Sequence, residues 1–112
     1  MEITGPGKRL RIYVGEADRY EGRPLSHAIV LKAREHGLAG ATVVRAVGGF
    51  GAHHRTHDAH LIEVEDNLPQ VVEIIDAAPR VVAFLPVLEE MVREGLVTMD
   101  DVEVVHYRHD AP

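Results

Sequence analysis

The chain contains no cysteine and no long apolar run. Without cysteine it can form no disulfide, thiolate nucleophile, iron–sulfur cluster or zinc ribbon. No stretch approaches the ~20 apolar residues of a membrane-spanning helix. The first residues, MEITGPGKRLRI, lack the apolar centre of a secretion signal. These features together lead us to expect a cytoplasmic protein.

Basic residues are too few for a general nucleic-acid-binding protein. The sequence has 12 Lys and Arg against 18 Asp and Glu, a formal charge of −6. Because neutralising a phosphate backbone needs a net basic face, no nucleic-acid partner is expected, although a local basic patch could hold one phosphorylated small molecule. With 46% hydrophobic and 27% charged residues, the composition is that of a globular protein, and we expect residues 1–112 to form a single domain.

Catalytic motifs are also missing from the sequence. Neither a nucleophile elbow nor a Walker phosphate-binding loop is present. Ser26 is the only serine, and its place in the first turn of a predicted helix explains it through helix-start hydrogen bonding. The adjacent carboxylates Glu89–Glu90 and Asp100–Asp101 point in different directions and are typical of a solvated surface. We therefore expect the protein not to be an enzyme.

Alternating apolar and polar residues predict four strands. These are residues 8–14, 41–47, 70–76 and 101–107, with residues 61–65 as a candidate short addition. Apolar stripes at helical spacing predict one helix after the first strand and another after the third. The order βαββαβ is typical of the ferredoxin-like fold, an α+β sandwich with a four-stranded antiparallel sheet and two helices on one face.

The predicted helices are bounded by proline and glycine. The first covers residues 24–36 and is ended by Gly37. The second covers residues 78–95, and its inner face consists of Val81, Leu85, Leu88 and Val92. Pro86 lies within the second helix, so we expect either a kink or two short helices that meet there.

The sheet face away from the helices carries charges of both signs. The usual strand order of this fold, 4-1-3-2, places strand one between strands three and four. Arg9 and Arg11 then share a face with Glu73 and Glu103, and opposite charges can pair across strands. Such a face is either solvated or buried in an oligomer, where the charges must pair.

A glycine-rich segment, GGFGAHHRTHDAH, occupies residues 48–60 and is predicted to be a functional loop. Gly48, Gly49 and Gly51 could let consecutive N–H groups form an anion-binding nest, or they could simply form a flexible turn. Phe50 could anchor the loop on the core or stack on a base. Of these two roles we favour anchoring.

Four histidines, His53, His54, His57 and His60, fall within this loop. Imidazole is a suitable ligand for zinc, copper and nickel. The alternative is a polar, pH-sensitive loop whose histidines face solvent or form hydrogen bonds. Because a loop supplies no convergent geometry by itself, we favour the alternative and assign no metal site.

Three stretches resemble one known group of proteins. They are GRPLSHAIVLKAREHGLAGATVVRAVGGFG (residues 22–51), DNLPQVVEIID (66–76) and VVAFLPVLEEMVREGLVTMDDVEVV (81–105). In content and order they are similar to the uncharacterised PII-like family, which is related to the nitrogen-regulatory PII proteins. The resemblance covers nearly the whole chain.

The resemblance implies a homotrimer whose sheets face the trimer axis, which favours a buried charged face. Residues 48–60 would be the T-loop, which reaches toward partners, and clefts between subunits at its base would hold an adenine nucleotide. His53 and His57 lie where the family tends to place histidine and are expected to contact the ligand. His54 and His60 look particular to this chain.

Arg45, Arg55 and Arg108 are candidate phosphate contacts, because the guanidinium fork matches phosphate oxygens. Each of them alone is typical of a surface charge. We expect Arg45 and Arg108 to approach one cleft from neighbouring subunits. Together with the glycine segment they would then make a site.

The sequence departs from true PII proteins between the second helix and the last strand. The segment EGLVTMDD stands where those proteins have a phosphate loop with glycine and lysine. Asp100 and Asp101 are expected to repel a triphosphate there unless a cation such as magnesium intervenes, which favours ADP or AMP as the ligand, with no obligatory cofactor. The resemblance implies a protein or a membrane transporter as the downstream target. The alternative function is a zinc or copper sensor or buffer that uses the histidine loop.

Overall fold

The computed structural model describes residues 1–51 and 67–110. Its elements are β1 (Glu2–Gly15), β2 (Arg19–Tyr20), β3 (Arg23–Pro24), α1 (Leu25–Glu35), β4 (Thr42–Arg45), β5 (Pro69–Ala77), α2 (Ala78–Met91) and β6 (Leu96–Arg108). Strands β1, β4, β5 and β6 are the four predicted strands, and β2 and β3 form a small separate hairpin before α1. The candidate strand at residues 61–65 lies outside the described residues.

The four longer strands form one sheet in the order β4-β5-β1-β6. Every neighbouring pair is antiparallel, and the order equals the predicted 4-1-3-2 when it is read from β6. Leu10, Ile12 and Val14 of β1 are buried together with residues of both helices. The two helices therefore cover one face of the sheet, and the predicted ferredoxin-like fold is confirmed.

The buried stripe of α2 differs from the prediction by one position in two of its four turns. Val81 and Leu88 are buried as predicted. Phe84 and Met91 are also buried, whereas the two residues that follow them, which were the predicted positions, lie at the margin of the core. The core is formed by Leu10, Ile12, Val14, Leu25, Ala28, Ile29, Ala33, Val72, Ile74, Val81, Phe84, Leu88 and Met91.

Strands β1 and β6 extend beyond their predicted bounds because they pair with each other along nearly their whole lengths. The sequence GPG at residues 5–7 is a turn signal, yet β1 continues through it. The strand adapts by an irregular register between Ile3 and Gly5 and by a φ of 96° at Gly5. Gly7 is needed because a Cβ there would lie 2.8 Å from the carbonyl oxygen of Asp76.

Helix α2 contains Pro86 and continues through it as one helix, so the alternative of two short helices is wrong. It ends at Met91, four residues before the predicted end at Gly95, because Val92 has extended dihedral angles (φ −102°, ψ 94°). Gly95 has a φ of 144°, and a Cβ there would lie 2.8 Å from the carbonyl oxygen of Tyr13. Neither helix of the described residues is long and apolar enough to cross a membrane.

The face of the sheet away from the helices, which we call the open face, carries ion pairs between strands. Arg11 Nε donates to Glu73 Oε2 at 3.1 Å, as predicted. Arg9 makes two hydrogen bonds to Asp100, at 3.1 Å and 2.6 Å. The predicted pairing with Glu103 is wrong, because the β1–β6 register places Asp100 directly opposite Arg9.

A buried carboxylate, Asp76, joins three parts of the fold. The side chain is 1% exposed. Its Oδ2 accepts hydrogen bonds from the N–H of Ala39 (2.8 Å) and from Nε of Arg80 (3.2 Å), and its Oδ1 accepts from the N–H of Ala77 (2.6 Å). Arg80 also donates to the carbonyl oxygen of Gly37. Asp76 therefore fixes the α1–β4 connection to the start of α2.

Replacing Asp76 should destabilise the fold strongly. Asp76→Ala removes three hydrogen bonds and leaves two backbone N–H groups without their partner, so we expect the free energy of unfolding to fall by about 2–4 kcal/mol. Urea denaturation followed by circular dichroism measures this loss. Glu90→Ala, an exposed carboxylate on α2, is the control and should change stability by at most about 0.5 kcal/mol. A loss as small as that of the control would contradict the role of Asp76.

Candidate ligand-binding site

One end of the sheet brings together the end of β1, the end of β4 and the start of β5. The N–H of Glu16 donates to the carbonyl oxygen of Leu68 (2.9 Å), and the N–H of Ala46 donates to that of Pro69 (3.0 Å). The predicted functional loop, residues 48–60, leaves β4 at this point. We call this region the loop end of the sheet, and it consists of residues 15–18, 45–51 and 67–70.

The turn after β1 is held rigidly at the loop end. Asp18 Oδ2 accepts a hydrogen bond from the N–H of Gly15 (2.8 Å), and Asn67 Oδ1 accepts one from the N–H of Ala17 (2.7 Å). A Cβ at Gly15 would overlap the side-chain amide of Asn67. The carbonyl oxygen of Asp18 accepts the N–H of Leu25, the first residue of α1 (2.8 Å). These contacts tie the turn to both β5 and α1.

The glycine segment lies on the surface of the loop end. Gly48 and Gly51 are exposed, and Gly49 has a φ of 129°, with Pro69 as the neighbour that a Cβ would meet, at 3.5 Å. Phe50 is 74% exposed. The expected anchoring of Phe50 on the core is therefore wrong, because a ring inserted into the core would be shielded from solvent. The anion nest stays a prediction.

The two described candidate arginines lie at opposite ends of the sheet. Arg45 Nη2 contacts Glu16 Oε2 at 2.7 Å at the loop end. Arg108 Nε lies 3.5 Å from Glu2 Oε2, at the far end of β1. The strand between them has 14 residues, a length of ~40 Å. One chain therefore does not bring the two arginines together, and their approach from neighbouring subunits stays a prediction.

The remaining candidate residues lie outside the described residues. His53, Arg55 and His57 are the predicted ligand contacts among them. The metal candidates are His53, His54, His57 and His60. In residues 1–51 and 67–110, no group of three or more His, Asp or Glu side chains is arranged to hold a metal ion. The histidine-loop hypothesis stays a prediction.

Asp100 and Asp101 do not lie in a phosphate loop. Strand β6 already begins at Leu96, and within it Asp101 pairs with Lys8 and Asp100 pairs with Arg9. The hydrogen bond from Arg9 lowers the pKa of Asp100 below its usual value, and the same bond raises the pKa of Arg9. The expected repulsion of a triphosphate by free carboxylates in a loop is therefore wrong.

Sequence reasoning missed four polar residues at the loop end, namely Glu16, Asp18, Asn67 and Gln70. Gln70 lies directly opposite Arg45 in the β4–β5 register, and its buried Oε1 has no hydrogen-bond partner among the described residues. The available signal was position, because GEAD directly follows strand one and DNLPQ opens strand three. Polar residues at the meeting ends of neighbouring strands come together in space.

The architecture matches solved structures of CPII from Thiomonas intermedia, a nitrogen regulatory PII-like protein. The CPII structure with ADP, AMP and acetate has a TM-score of 0.53 and 20% identity, and the match covers 91% of each chain. The structure with ADP and bicarbonate has a TM-score of 0.51 and 21% identity, covering 93% of this chain and 91% of CPII. The chain thus has the fold of the PII-like proteins.

Sequence comparison identifies the family. A UPF0166 protein of Aquifex aeolicus is 38% identical over 99 residues, which is 88% of this chain and 93% of that protein. A UPF0166 protein of Methanocaldococcus jannaschii is 30% identical over 98 residues, 87% of this chain and 90% of that protein. The profile of the DUF190 family, described as an uncharacterised ACR, matches residues 7–104. The chain belongs to the DUF190 family, and the PII-like resemblance of its sequence is confirmed.

The Asp100–Arg9 ion pair should make the stability of the fold decrease as the pH falls into the acid range. Because the pKa of Asp100 is lowered in the folded chain, the pairing stabilises the fold above the unfolded-state pKa of about 3.9 and is lost as the pH falls through the folded-state value. Asp100→Asn should therefore melt below the wild type at pH 7, and the difference should shrink as the pH falls below about 4. Thermal melts followed by circular dichroism across this range measure the difference.

The control for this experiment is Glu90→Gln, which removes an exposed carboxylate on α2. Its melting temperature should follow that of the wild type at every pH. A difference between Asp100→Asn and the wild type that stays constant over the whole pH range would contradict the prediction.

Proposed function

We propose that this chain is the subunit of a homotrimeric PII-like regulator that binds an adenine nucleotide, ADP or AMP, in clefts between subunits, with or without magnesium. A protein or membrane-transporter target would read the bound state through residues 48–60, and the protein would perform no chemistry on the nucleotide. The observation that carries this proposal is the fold match, over 91% or more of this chain, to structures of a PII-like protein that hold ADP and AMP.

The loop end offers three kinds of contact that a nucleotide uses. Arg45 supplies a largely exposed cation for a phosphate. Gly49, with its positive φ, lets the backbone approach an anion without a side chain in between. The exposed ring of Phe50 could stack on a base. These three residues lie within six positions of the chain, so they support a single binding region.

The open face supports a subunit interface. Three large apolar residues on it are exposed, namely Val44 (53%), Ile75 (38%) and Leu96 (55%). The two ion pairs that the described residues form on this face both join residues of one chain. Because each charge already has a partner, a second subunit could cover the face without leaving an unpaired buried charge. Exposed apolar residues between satisfied charges are the composition that a subunit interface needs.

The preference for ADP or AMP has a different basis from the one the sequence suggested. Asp100 and Asp101 are paired with Arg9 and Lys8 inside the sheet, so they supply no reason against ATP. The preference now rests on the ADP and AMP held by CPII. ATP therefore belongs in any test of the ligand.

The direct test is a calorimetric titration of the purified protein with AMP, ADP, ATP and cyclic AMP, each with and without magnesium, followed by zinc. Saturable binding of ADP or AMP near one per subunit, with a trimer in sedimentation, is the expected result. No nucleotide binding together with a clear zinc signal would favour the alternative of a histidine-loop metal sensor. Nucleotide turnover well above that of a boiled sample would contradict the proposal that the protein performs no chemistry on the nucleotide.

Replacing Gly49 should weaken nucleotide binding and leave the trimer intact. A β-branched side chain is strained at a φ of 129°, so Gly49→Val should displace the backbone that faces the ligand. We expect the affinity measured by calorimetry to fall at least about tenfold, a loss of about 1.4 kcal/mol.

The matched control is Gly40→Val, at a surface glycine where an added Cβ meets no atom within 4 Å. This variant should bind nucleotide like the wild type. Dissociation of the trimer in Gly49→Val, or unchanged nucleotide affinity, would count against the proposed role of the glycine segment.

A further inference from the structure

The cation that is best placed to bind a phosphate at the loop end is already occupied. Arg45 Nη2 donates to Glu16 Oε2 at 2.7 Å. The Glu16 side chain is only 24% exposed, whereas that of Arg45 is 69% exposed. The carboxylate is therefore held close to the fold, while the guanidinium remains accessible to a solute that competes for it.

Glu16 is presented from a fixed position. Its N–H donates to the carbonyl oxygen of Leu68 (2.9 Å), and the preceding Gly15 is held by the carboxylate of Asp18 (2.8 Å). Because the backbone on both sides is fixed, pairing with Arg45 costs little additional ordering on the Glu16 side. Glu16 therefore competes with any anion that approaches Arg45.

Gln70 offers a second hydrogen-bond acceptor to the guanidinium of Arg45. It lies directly opposite Arg45 across the β4–β5 pair and directly opposite Val14 across the β1–β5 pair. All three side chains therefore lie on the same face of the sheet, with Cβ atoms of direct neighbours about 4.5–5.5 Å apart. The buried Oε1 of Gln70 has no hydrogen-bond partner within the described part of the chain.

A buried acceptor of this kind calls for a donor, because burial without a hydrogen bond carries a desolvation cost. The guanidinium has five N–H donors. It can therefore serve Gln70 Oε1 and an incoming anion at the same time. In the observed arrangement one donor, on Nη2, is directed to Glu16 Oε2, and among the described residues no donor reaches Gln70 Oε1.

We propose that Arg45 has two alternative partners, and that its pairing with Glu16 is an autoinhibitory contact. In the first arrangement, the observed one, Glu16 holds the guanidinium and Gln70 Oε1 is unsatisfied. In the second, Arg45 donates to Gln70 Oε1 and directs its remaining donors to a phosphate group. Identifying that phosphate group with a nucleotide rests on the proposed function, whereas the exchange of partners does not.

The size of the effect follows from the exposure of the pair. Exposed ion pairs are worth at most about fivefold in an equilibrium constant. Glu16→Gln keeps the shape of the side chain and removes its charge, so it should raise the affinity for ADP or for inorganic pyrophosphate by about two- to fivefold. Gln70→Leu removes the second acceptor and should lower the affinity. Glu35→Gln, which removes the carboxylate near Lys32 on α1, is the matched control and should have no effect.

A readout without ligand separates this inference from the proposed function. The solvent-exchange rate of the Arg45 guanidinium protons, measured by NMR, should rise in Glu16→Gln and rise again in the double variant Glu16→Gln/Gln70→Leu. It should stay at the wild-type value in Glu35→Gln. Equal exchange in the single and double variants would exclude Gln70 as the second partner, and equal exchange in all four proteins would overturn the proposal.

If the wild type binds none of AMP, ADP and pyrophosphate, the proposed function fails, and the exchange rates alone then decide whether Arg45 has two partners. If ADP binds and Glu16→Gln leaves its affinity unchanged, the nucleotide function stands and the autoinhibitory contact is overturned.

Discussion

The position of β1 between β5 and β6 is the constraint on which the rest of the structure depends. Its register with both neighbours turns Leu10, Ile12 and Val14 toward the helices. The same register places the two arginines of β1 on the open face, each beside a carboxylate of an adjacent strand. The turn that follows β1 forms part of the loop end and is hydrogen-bonded to its other segments. One strand thus sets the core, the charged face and the candidate site.

The sequence predicted the fold well wherever local pattern and tertiary pairing agree. The four strands and the first helix follow from periodicity and from glycine and proline positions, and the strand order follows from the usual order of the fold that these elements indicate. The predicted first strand, residues 8–14, was too short. The turn signal GPG at residues 5–7 lies inside β1, because β1 pairs with β6 through this segment. The prediction also failed at Gly95, whose positive φ serves the approach to Tyr13 rather than the end of a helix.

The candidate site was only half visible in the sequence, for a related reason. Arg45 and the glycines can be identified as candidates from residue type alone, since a guanidinium group and a glycine backbone each have a known way to bind an anion. Glu16 and Gln70 do not, because their role depends on which strands are neighbours and on which face each side chain lies. A carboxylate 29 positions away in the chain can be identified as the partner of Arg45 only after the sheet is assembled. Phe50 shows the converse, because a hydrophobic residue type alone does not place a ring in the core.

The pairing of β1 with β6 has a consequence for how the chain folds. Arg9 and Asp100 are 91 positions apart in the sequence, whereas Arg11 and Glu73 are 62 apart. Strand β1 is therefore the first strand to be synthesised, but its pairing is completed last. The edge that faces β6 stays open until β6 has been synthesised. Contacts between such distant segments slow folding, and an unpaired strand edge invites association with other chains. During synthesis, the edge of β1 that β6 will cover is therefore open to pairing with another chain.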